Sequence, residues 1–213
     1  YKKVRDVVRF LNDALSGEKV KQTYDTFEVN GFRLCVRPEQ KPQILVAALR
    51  EGMLRLAGRE ADGAIINWLS PQDVSTVAPI VHDAGGGDDK EIVARIFVCP
   101  SENAEVVRAG ARFAIAAYLN VPVYAEFHRW LGRGDQLQGM WDAWAAGDRK
   151  AALAAIPDDV VDELIVHGSP EQCREHIDRY HEQGVTTSAI ALMGPPGGDT
   201  MQSLRDLSPA ARK

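Results

Sequence analysis

Two small residues at the end of an apolar run form the first pattern in this sequence that suggests chemistry. The run PQILVAA (residues 42–48) predicts a short buried strand that ends at Ala47 and Ala48. Ligands of parallel α/β folds lie at the carboxyl ends of strands, and alanines there let a flat ring approach the backbone. The same alanines are also explained if small side chains are needed only for packing.

The residues that follow this run suggest an anion site. A helix is predicted from about Glu51, so the amides of Gly52 and Met53 lie at its N-terminus, where a phosphate group is favoured. Arg50, which follows Leu49, is a cation that can pair with a phosphate, whereas Glu51 opposes one.

A polar and an aromatic residue end the next apolar run, AIINW (residues 64–68). Asn67 can donate a hydrogen bond to a ring or hydroxyl oxygen, and Trp68 can form a wall of a ring-shaped pocket. The alternative is a tryptophan that packs against its neighbours at a strand end. Ser70 is expected to cap the helix that begins at Pro71 and not to bind a ligand.

Other chemistries have weaker support. His128, in the sequence FHRW, has the chemistry of an acid or base, although a solvated loop histidine is the simpler interpretation. His176 and His181 are five residues apart, which is the wrong spacing for two metal ligands on one helical face. The sequence contains no Gly-x-Ser-x-Gly, P-loop or GxGxxG motif and no cysteine pair with metal-ligand spacing. No metal site and no catalytic residue are predicted.

Alternating strands and helices are expected to hold these residues in place. A helix over residues 4–15 is followed by a hairpin with its turn at Asn30-Gly31. Parallel βαβ units are then predicted, with poor periodicity and short helices over residues 122–157. Their buried strands cover residues 42–48, 64–68, 92–99 and 187–193, and a helix covers residues 158–166.

Composition excludes several classes of protein. The 213 residues carry a formal net charge of −5 without a basic block, so a nucleic-acid partner is not expected. No apolar run reaches the about 18 residues of a membrane helix, and hydrophobic residues make up 45% of the chain, as in globular proteins. Three widely spaced cysteines are typical of reduced thiols, which predicts a cytoplasmic location.

Several segments, in order and with the right spacing, resemble the luciferase-like flavin oxidoreductases and their F420-dependent branch. The segments are FLNDALSGEKVKQTYDTFEVNGFRL, PQILVAALREGMLRLAGREADGAIINWLSP and HGSPEQCREHIDRYHEQGVTTSAIALMGP. The resemblance implies a (β/α)8 TIM barrel of which this chain supplies about strands five to eight, as one domain over residues 1–213. The 122–157 segment would then cover the mouth of the barrel and select the substrate, although its aromatic residues are equally explained as local core.

The resemblance implies F420 as the cofactor, with FMN as the alternative. The reaction would be hydride transfer or monooxygenation of a small organic substrate. Cofactor contacts are expected from two strand ends, at Ala47, Ala48, Leu49, Arg50, Gly52, Met53, Asn67 and Trp68.

A half barrel leaves two open edges and an uncovered apolar face. We therefore expect a homo-oligomer, or association with a missing N-terminal half. Two alternatives remain: a catalytically inactive half barrel that serves as a binding or dimerisation module, and a different TIM-barrel enzyme with similar strand ends.

Overall fold

The computed structural model describes residues 1–87, 89–194 and 198–211. The first half contains α1 (Lys2–Leu15), β1 (Val20–Thr23), β2 (Glu28–Phe32), β3 (Leu45–Ala47), α2 (Glu51–Glu60), β4 (Gly63–Asn67), α3 (Pro71–Gly85) and β5 (Glu91–Cys99). The second half contains α4 (Ala104–Leu119), α5 (Pro122–Trp130), α6 (Gly134–Ala145), α7 (Arg149–Ala154), α8 (Asp158–Leu164), β6 (Ile165–His167), α9 (Pro170–Glu182), β7 (Thr187–Leu192) and α10 (Thr200–Leu207). A 3-10 turn at Pro209–Ala211 ends the described chain.

The chain divides into two compact units. Unit 1 comprises Tyr1–Ile66 and Thr76–Val93, and unit 2 comprises Asn67–Ser75 and Ala94–Lys213. The boundaries fall inside β4, α3 and β5, so each of these elements contributes residues to both units. The prediction that residues 1–213 form one domain stays a prediction.

Unit 1 is built on the parallel pair β3 and β4, in which Ala47 is in register with Ile65. Beside them, the N–H of Glu91 donates to the carbonyl oxygen of Asp62 at 3.0 Å. Along β4, Ala64 and Ile66 are buried whereas Ile65 is 38% exposed. The expectation that these strands are buried on both faces was therefore wrong in unit 1, where β4 alternates like a strand with one open face.

The hairpin forms, but its turn is not at Asn30-Gly31. Strands β1 and β2 pair antiparallel with Val20 opposite Phe32 and Lys21 opposite Asn30, so Gly31 is an extra residue in β2. Its φ of 92° is the conformation that a glycine adopts in a β-bulge. The chain reverses between Tyr24 and Phe27, where the N–H of Tyr24 donates to the carbonyl oxygen of Phe27 at 2.9 Å. The Asn-Gly pair therefore marks a β-bulge. A bulge of this kind and a tight hairpin turn both require a positive φ, which glycine adopts readily.

Unit 2 centres on β5, which pairs in parallel with β6 and also pairs with β7. Short helices α5, α6 and α7 confirm the prediction of short helices over residues 122–157, whereas the position of this segment over a barrel mouth stays a prediction. They pack with α4 and α8 around a core that includes Trp68, Phe97, Ile115, Leu119, Met140 and Leu164.

Two further expectations needed correction. The predicted helix over residues 158–166 ends at Leu164, and Ile165–His167 form the extra strand β6. Within the described residues, the strand pairings do not close a barrel. The parallel α/β architecture is as predicted, and the assignment to strands five to eight stays a prediction. No helix in the described ranges is long and apolar enough to cross a membrane.

Candidate functional site

The end of β3 is open in unit 1. Ala47 is exposed, whereas the Ala48 side chain is 2% exposed and lies in the core. The N–H of Ala48 donates to the carbonyl oxygen of Ile65 at 3.0 Å, which extends the strand pairing by one residue. A ligand at this strand end would therefore meet the Ala47 methyl group and the backbone, and not the Ala48 side chain.

The N-terminus of α2 follows this strand end and has no side-chain cap. Arg50 is the N-cap residue, in an extended conformation. Its side chain accepts no hydrogen bond from the helix, whereas its carbonyl oxygen accepts from the Met53 N–H at 3.0 Å. A Cβ built on Gly52 would have no neighbour within 4 Å, so the space beside its backbone is open. Glu51, which was expected to oppose a phosphate, pairs with Arg55 one turn later at 2.7 Å. That pairing reduces the negative charge at the helix start.

The end of β4, in unit 2, is closed. Trp68 is 1% exposed, has a φ of 55°, and stacks on Phe97 with the ring centroids 4.0 Å apart. Such a φ is unusual for a bulky residue and is a form of backbone strain often found at functional sites. The Asn67 amide donates from Nδ2 to the Tyr124 hydroxyl at 3.1 Å. Neither Asn67 Oδ1 nor Trp68 Nε1 has a hydrogen-bond partner within the described parts of the chain.

Trp68 therefore presents no exposed face to a ligand in this conformation, and its role as a pocket wall stays a prediction. The other expected contacts also stay predictions, namely those of Ala47, Leu49, Arg50, Gly52, Met53 and Asn67.

His128 was expected to be a solvated loop histidine, and this was wrong. It lies in α5, is 0% exposed, and neither ring nitrogen has a hydrogen-bond partner among the residues described. Burial, together with the charge of Arg133, lowers its pKa to about 3, against weaker opposing effects of Asp73 and the Trp68 backbone. His128 is therefore a neutral core residue at physiological pH, and is not placed to exchange protons with solvent.

A buried ion cluster follows β4 in unit 2. Arg133 Nη1 donates to Asp73 Oδ1 at 3.0 Å, and Arg133 Nη2 donates to Glu163 Oε2 at 2.8 Å. Burial lowers the pKa of Arg133, but the two carboxylates more than offset this, so the pKa is raised. Ser70 donates from N and Oγ to Asp73 Oδ2 and accepts from the Asp73 N–H. This reciprocal pair confirms the prediction that Ser70 caps α3.

The cluster lines an open cleft of about 740 Å³ whose walls include Asp73, Arg133, Asp162, His176, Arg179 and Glu182. These side chains carry both signs of charge, so the cleft suits a polar ligand. No local sequence pattern predicts this cluster, because Asp73 and Arg133 are 60 residues apart and their approach depends on the tertiary fold. A single arginine after a Leu-Gly pair has no local signal that distinguishes it from a surface residue.

The two remaining histidines considered for chemistry, and a buried cysteine, make contacts within the protein. His176 stacks on Tyr180, and His181 contacts the Val185 carbonyl oxygen through Nδ1 at 2.8 Å. Burial raises the pKa of the Cys173 thiol to about 11. The described residues contain no group of three or more His, Cys, Asp or Glu side chains that could hold a metal ion.

The family described as luciferase-like monooxygenase matches residues 1–187 of the chain. Among curated proteins, the chain is 26% identical over 217 residues to the 5,10-methylenetetrahydromethanopterin reductase of Archaeoglobus fulgidus. That alignment covers 96% of this chain and 63% of the relative. The chain thus spans about three fifths of the length of this relative.

Solved structures share the fold. The coenzyme F420 dependent tetrahydromethanopterin reductase from Methanopyrus kandleri superposes with a TM-score of 0.74 at 19% identity, covering 97% of this chain and 61% of that one. An F420-dependent secondary alcohol dehydrogenase in complex with an F420-acetone adduct gives a TM-score of 0.71 at 16% identity, covering 98% of this chain and 61% of that one. At these identities the similarity establishes the fold alone.

Proposed function

The chain belongs to the luciferase-like monooxygenase family, and from this we propose that it is an oxidoreductase that binds F420 and transfers a hydride to or from a small organic substrate. FMN, with monooxygenation, is the alternative cofactor. The observation that carries the proposal is the match of 96% of the chain to a 5,10-methylenetetrahydromethanopterin reductase, together with the fold shared with two F420-dependent enzymes. The substrate itself stays open.

The strand end and helix start of unit 1 fit the phosphate-bearing part of such a cofactor. An uncapped helix N-terminus offers free N–H groups and a positive dipole end, both of which favour an anion. The open space beside Gly52 lets a phosphate approach the backbone, and Arg50 is an exposed cation at the same turn. Glu51 is a weaker objection than the sequence suggested, since Arg55 pairs with it.

In this proposal, Arg50 and the amide of Gly52 hold the anionic group, and Ala47 leaves room for a flat ring beside the strand. Met53 contributes its position in the same turn, since its N–H donates to the Arg50 carbonyl oxygen at 3.0 Å. F420 supplies the hydride chemistry when bound, or FMN the oxygen chemistry, as cofactors generally do. The residues of this chain bind and orient, and we assign no proton-transfer step to them.

Fluorescence titration with F420 and, separately, with FMN tests the proposal directly. Quenching that saturates with one cofactor supports the function, and the tighter of the two names the branch of the family. Failure of both cofactors to bind would overturn the proposal and favour a binding module or a different barrel enzyme.

The Gly52→Asp variant tests the location. Aspartate in the first turn favours the helix through its dipole, so the fold should be retained while a phosphate is repelled. We expect cofactor affinity to fall at least tenfold, and Arg50→Ala to weaken binding by a smaller factor. Gly134→Asp is the matched control, because Gly134 is also in the first turn of a helix and has room for a side chain. Equal losses in both aspartate variants would argue against the assignment to α2.

A further inference from the structure

The last turn of α4 places Tyr118 against Trp68 in a loose contact. The two ring centroids are 5.0 Å apart with an interplanar angle of 42°, whereas Phe97 stacks on Trp68 at 4.0 Å and 27°. Aromatic pairs prefer either an offset stack or an edge-to-face arrangement, and an angle of 42° is neither. The contact of Trp68 with Phe97 is therefore the stronger one, and its contact with Tyr118 is the weaker one.

Tyr118 is also the ring of this group that is free to move. It is 38% exposed, whereas Phe97 and Trp68 are 6% and 1% exposed. Its hydroxyl has no hydrogen-bond partner in the described part of the chain. The backbone next to Trp68 is held, because the Tyr180 hydroxyl donates to the Leu69 carbonyl oxygen at 2.9 Å. Since exposed side chains change rotamer rapidly, Tyr118 can turn away while Trp68 stays in place.

Two residues linked to Tyr118 carry buried polar atoms that have no hydrogen-bond partner among the described residues. The atoms are Asn67 Oδ1, an acceptor, and Trp68 Nε1, a donor. Trp68 contacts Tyr118 directly. Asn67 is linked to it through Tyr124, whose hydroxyl accepts from Asn67 Nδ2 at 3.1 Å and whose ring meets that of Tyr118 edge-to-face. Buried polar atoms almost always have a partner, so this unused acceptor and donor at neighbouring residues require an explanation.

The chemistry of these atoms defines a ligand. The ligand has to be flat to stack on Trp68, as nucleobases stack on aromatic side chains. It also has to bring an N–H for Asn67 Oδ1 and a carbonyl oxygen for Trp68 Nε1, and an imide edge carries both side by side. We propose that Tyr118 is a displaceable cover, and that a flat heterocycle with an imide edge takes its place on Trp68. This inference goes beyond the proposed function, because it does not depend on the anion site of α2.

Lumiflavin is the probe for this site, because it has a flat ring and an imide edge but no phosphate. A failure of F420 and FMN to bind can therefore be distinguished from a failure of this inference. We expect the protein to quench lumiflavin fluorescence in a saturable titration, since the ring stacks on a tryptophan. We expect 3-methyllumiflavin, in which a methyl group replaces the imide hydrogen, to bind at least tenfold more weakly.

Variants of Tyr118 test whether it is a cover or a wall of the site. Tyr118→Ala removes the ring that has to be displaced, so lumiflavin should bind at least threefold more tightly. Tyr118→Phe keeps the ring and should bind lumiflavin like the parent. Phe113→Ala is the matched control, because Phe113 is a 67% exposed aromatic residue of the same helix, and it should leave the affinity unchanged.

Acrylamide quenching of tryptophan fluorescence tests the movement without a ligand. The signal of Trp68 is the difference between each protein and the same protein with Trp68→Phe. We expect its quenching constant to rise at least threefold in Tyr118→Ala and to stay unchanged in Phe113→Ala. Circular dichroism checks the folding of each variant, and the lumiflavin titrations of the Tyr118 variants remain decisive if Trp68→Phe does not fold.

Three results would overturn the proposal. The first is that lumiflavin binds neither the parent nor Tyr118→Ala. The second is that Tyr118→Ala binds lumiflavin no more tightly than the parent, which would make Tyr118 a wall of the site or a bystander. The third is that lumiflavin and 3-methyllumiflavin bind equally well, which would show that no imide edge is recognised.

Discussion

Strands β3 and β4 are neighbours in one parallel pair, but the residues that follow each strand have opposite environments. After β3, Arg50 and Gly52 are exposed and the helix start is uncapped. After β4, Trp68 is buried and Ser70 and Asp73 form a reciprocal cap with Arg133 beneath it. The first end has free backbone amides, whereas at the second end Ser70, Asp73 and Arg133 bond to one another.

The two strand ends differ in how readily each could hold a ligand. Free amides next to open space cost little to satisfy with an anion from solution. A buried tryptophan at positive φ, beside Asn67 and His128 atoms that have no hydrogen-bond partner among the described residues, instead indicates a rigid and strained support. In the function proposed above, the end of β3 binds the cofactor, and the predictions below test whether the two strand ends differ as this proposal requires.

The largest effect is expected from Arg133→Leu at the closed end. The variant leaves Asp73, whose side chain is 8% exposed, without its cationic partner. Removing one member of a buried ion pair typically costs about 3–5 kcal/mol, because the remaining charge stays desolvated. Urea denaturation followed by circular dichroism measures the loss.

Arg55→Leu is the control from the open end, where Arg55 and Glu51 form an exposed helical pair. Such pairs contribute a few tenths of a kcal/mol, so this variant should be nearly as stable as the parent. Similar losses in the two variants would contradict the contrast between a closed and an open strand end.

The next effect concerns the pH dependence of stability and depends on His128. Its folded pKa of about 3 lies below the unfolded value of about 6.5. As pH falls below 6.5, the unfolded state binds a proton that the folded state excludes, so stability is lost until about pH 3. Between pH 6 and pH 4 the loss from this residue should be roughly 2–3 kcal/mol.

His128→Leu removes the group and should flatten this part of the stability profile. Arg133 and Asp73 are the charged groups that act on His128, so the double variant with Arg133→Leu reports their coupling. His82→Gln, in α3, controls for the loss of a histidine elsewhere. If the stability of His128→Leu falls between pH 6 and pH 4 as much as that of the parent, the His128 ring can bind a proton in the folded state.

A smaller effect is expected from Tyr124→Phe. The variant removes the hydroxyl that accepts the Asn67 Nδ2 hydrogen bond, while the ring is kept. Asn67 Oδ1 already lacks a partner among the described residues, so the amide would lose its one side-chain contact there. We expect a loss of about 1 kcal/mol in urea denaturation. Tyr118→Phe is the control, since Tyr118 contacts Trp68 through its ring. If Tyr118→Phe lowers stability as much as Tyr124→Phe does, the loss does not come from the hydrogen bond to Asn67.

Sequence reasoning identified elements whose signals are local. The strands predicted over residues 42–48, 64–68, 92–99 and 187–193 became β3, β4, β5 and β7, because short apolar runs bounded by turn residues are typical of strands in an α/β chain. The Asn-Gly pair was recognised as a special backbone position, but two local structures share that requirement. Only the strand register separates a bulge from a turn.

Features that depend on tertiary contacts could not be predicted from the sequence. His128 is buried because α5 packs into unit 2, and nothing in the sequence FHRW fixes the direction of that helix. Arg133 pairs with Asp73, 60 positions before it, and with Glu163, 30 positions after it, so no local pattern indicates the cluster. Strand β6 is only three residues long and directly follows a helix, so its residues were predicted as part of that helix. For the candidate site, the sequence located both strand ends but could not tell the open end from the closed one.

The smallest effect is expected at the open end itself, from Gly52→Ala. Gly52 lies in the first turn of α2 and a Cβ there meets nothing within 4 Å, so alanine should stabilise the protein by about 0.4–1 kcal/mol by restricting the unfolded chain. Gly58→Ala, in the same helix, provides the contrast, because its Cβ would lie 2.2 Å from the Val81 carbonyl oxygen and force a backbone shift. Thermal melts of the two variants should therefore move in opposite directions. If Gly52→Ala lowers the melting temperature as Gly58→Ala does, the space beside the α2 N-terminus is not open. That result would contradict the proposal that the cofactor binds at the end of β3.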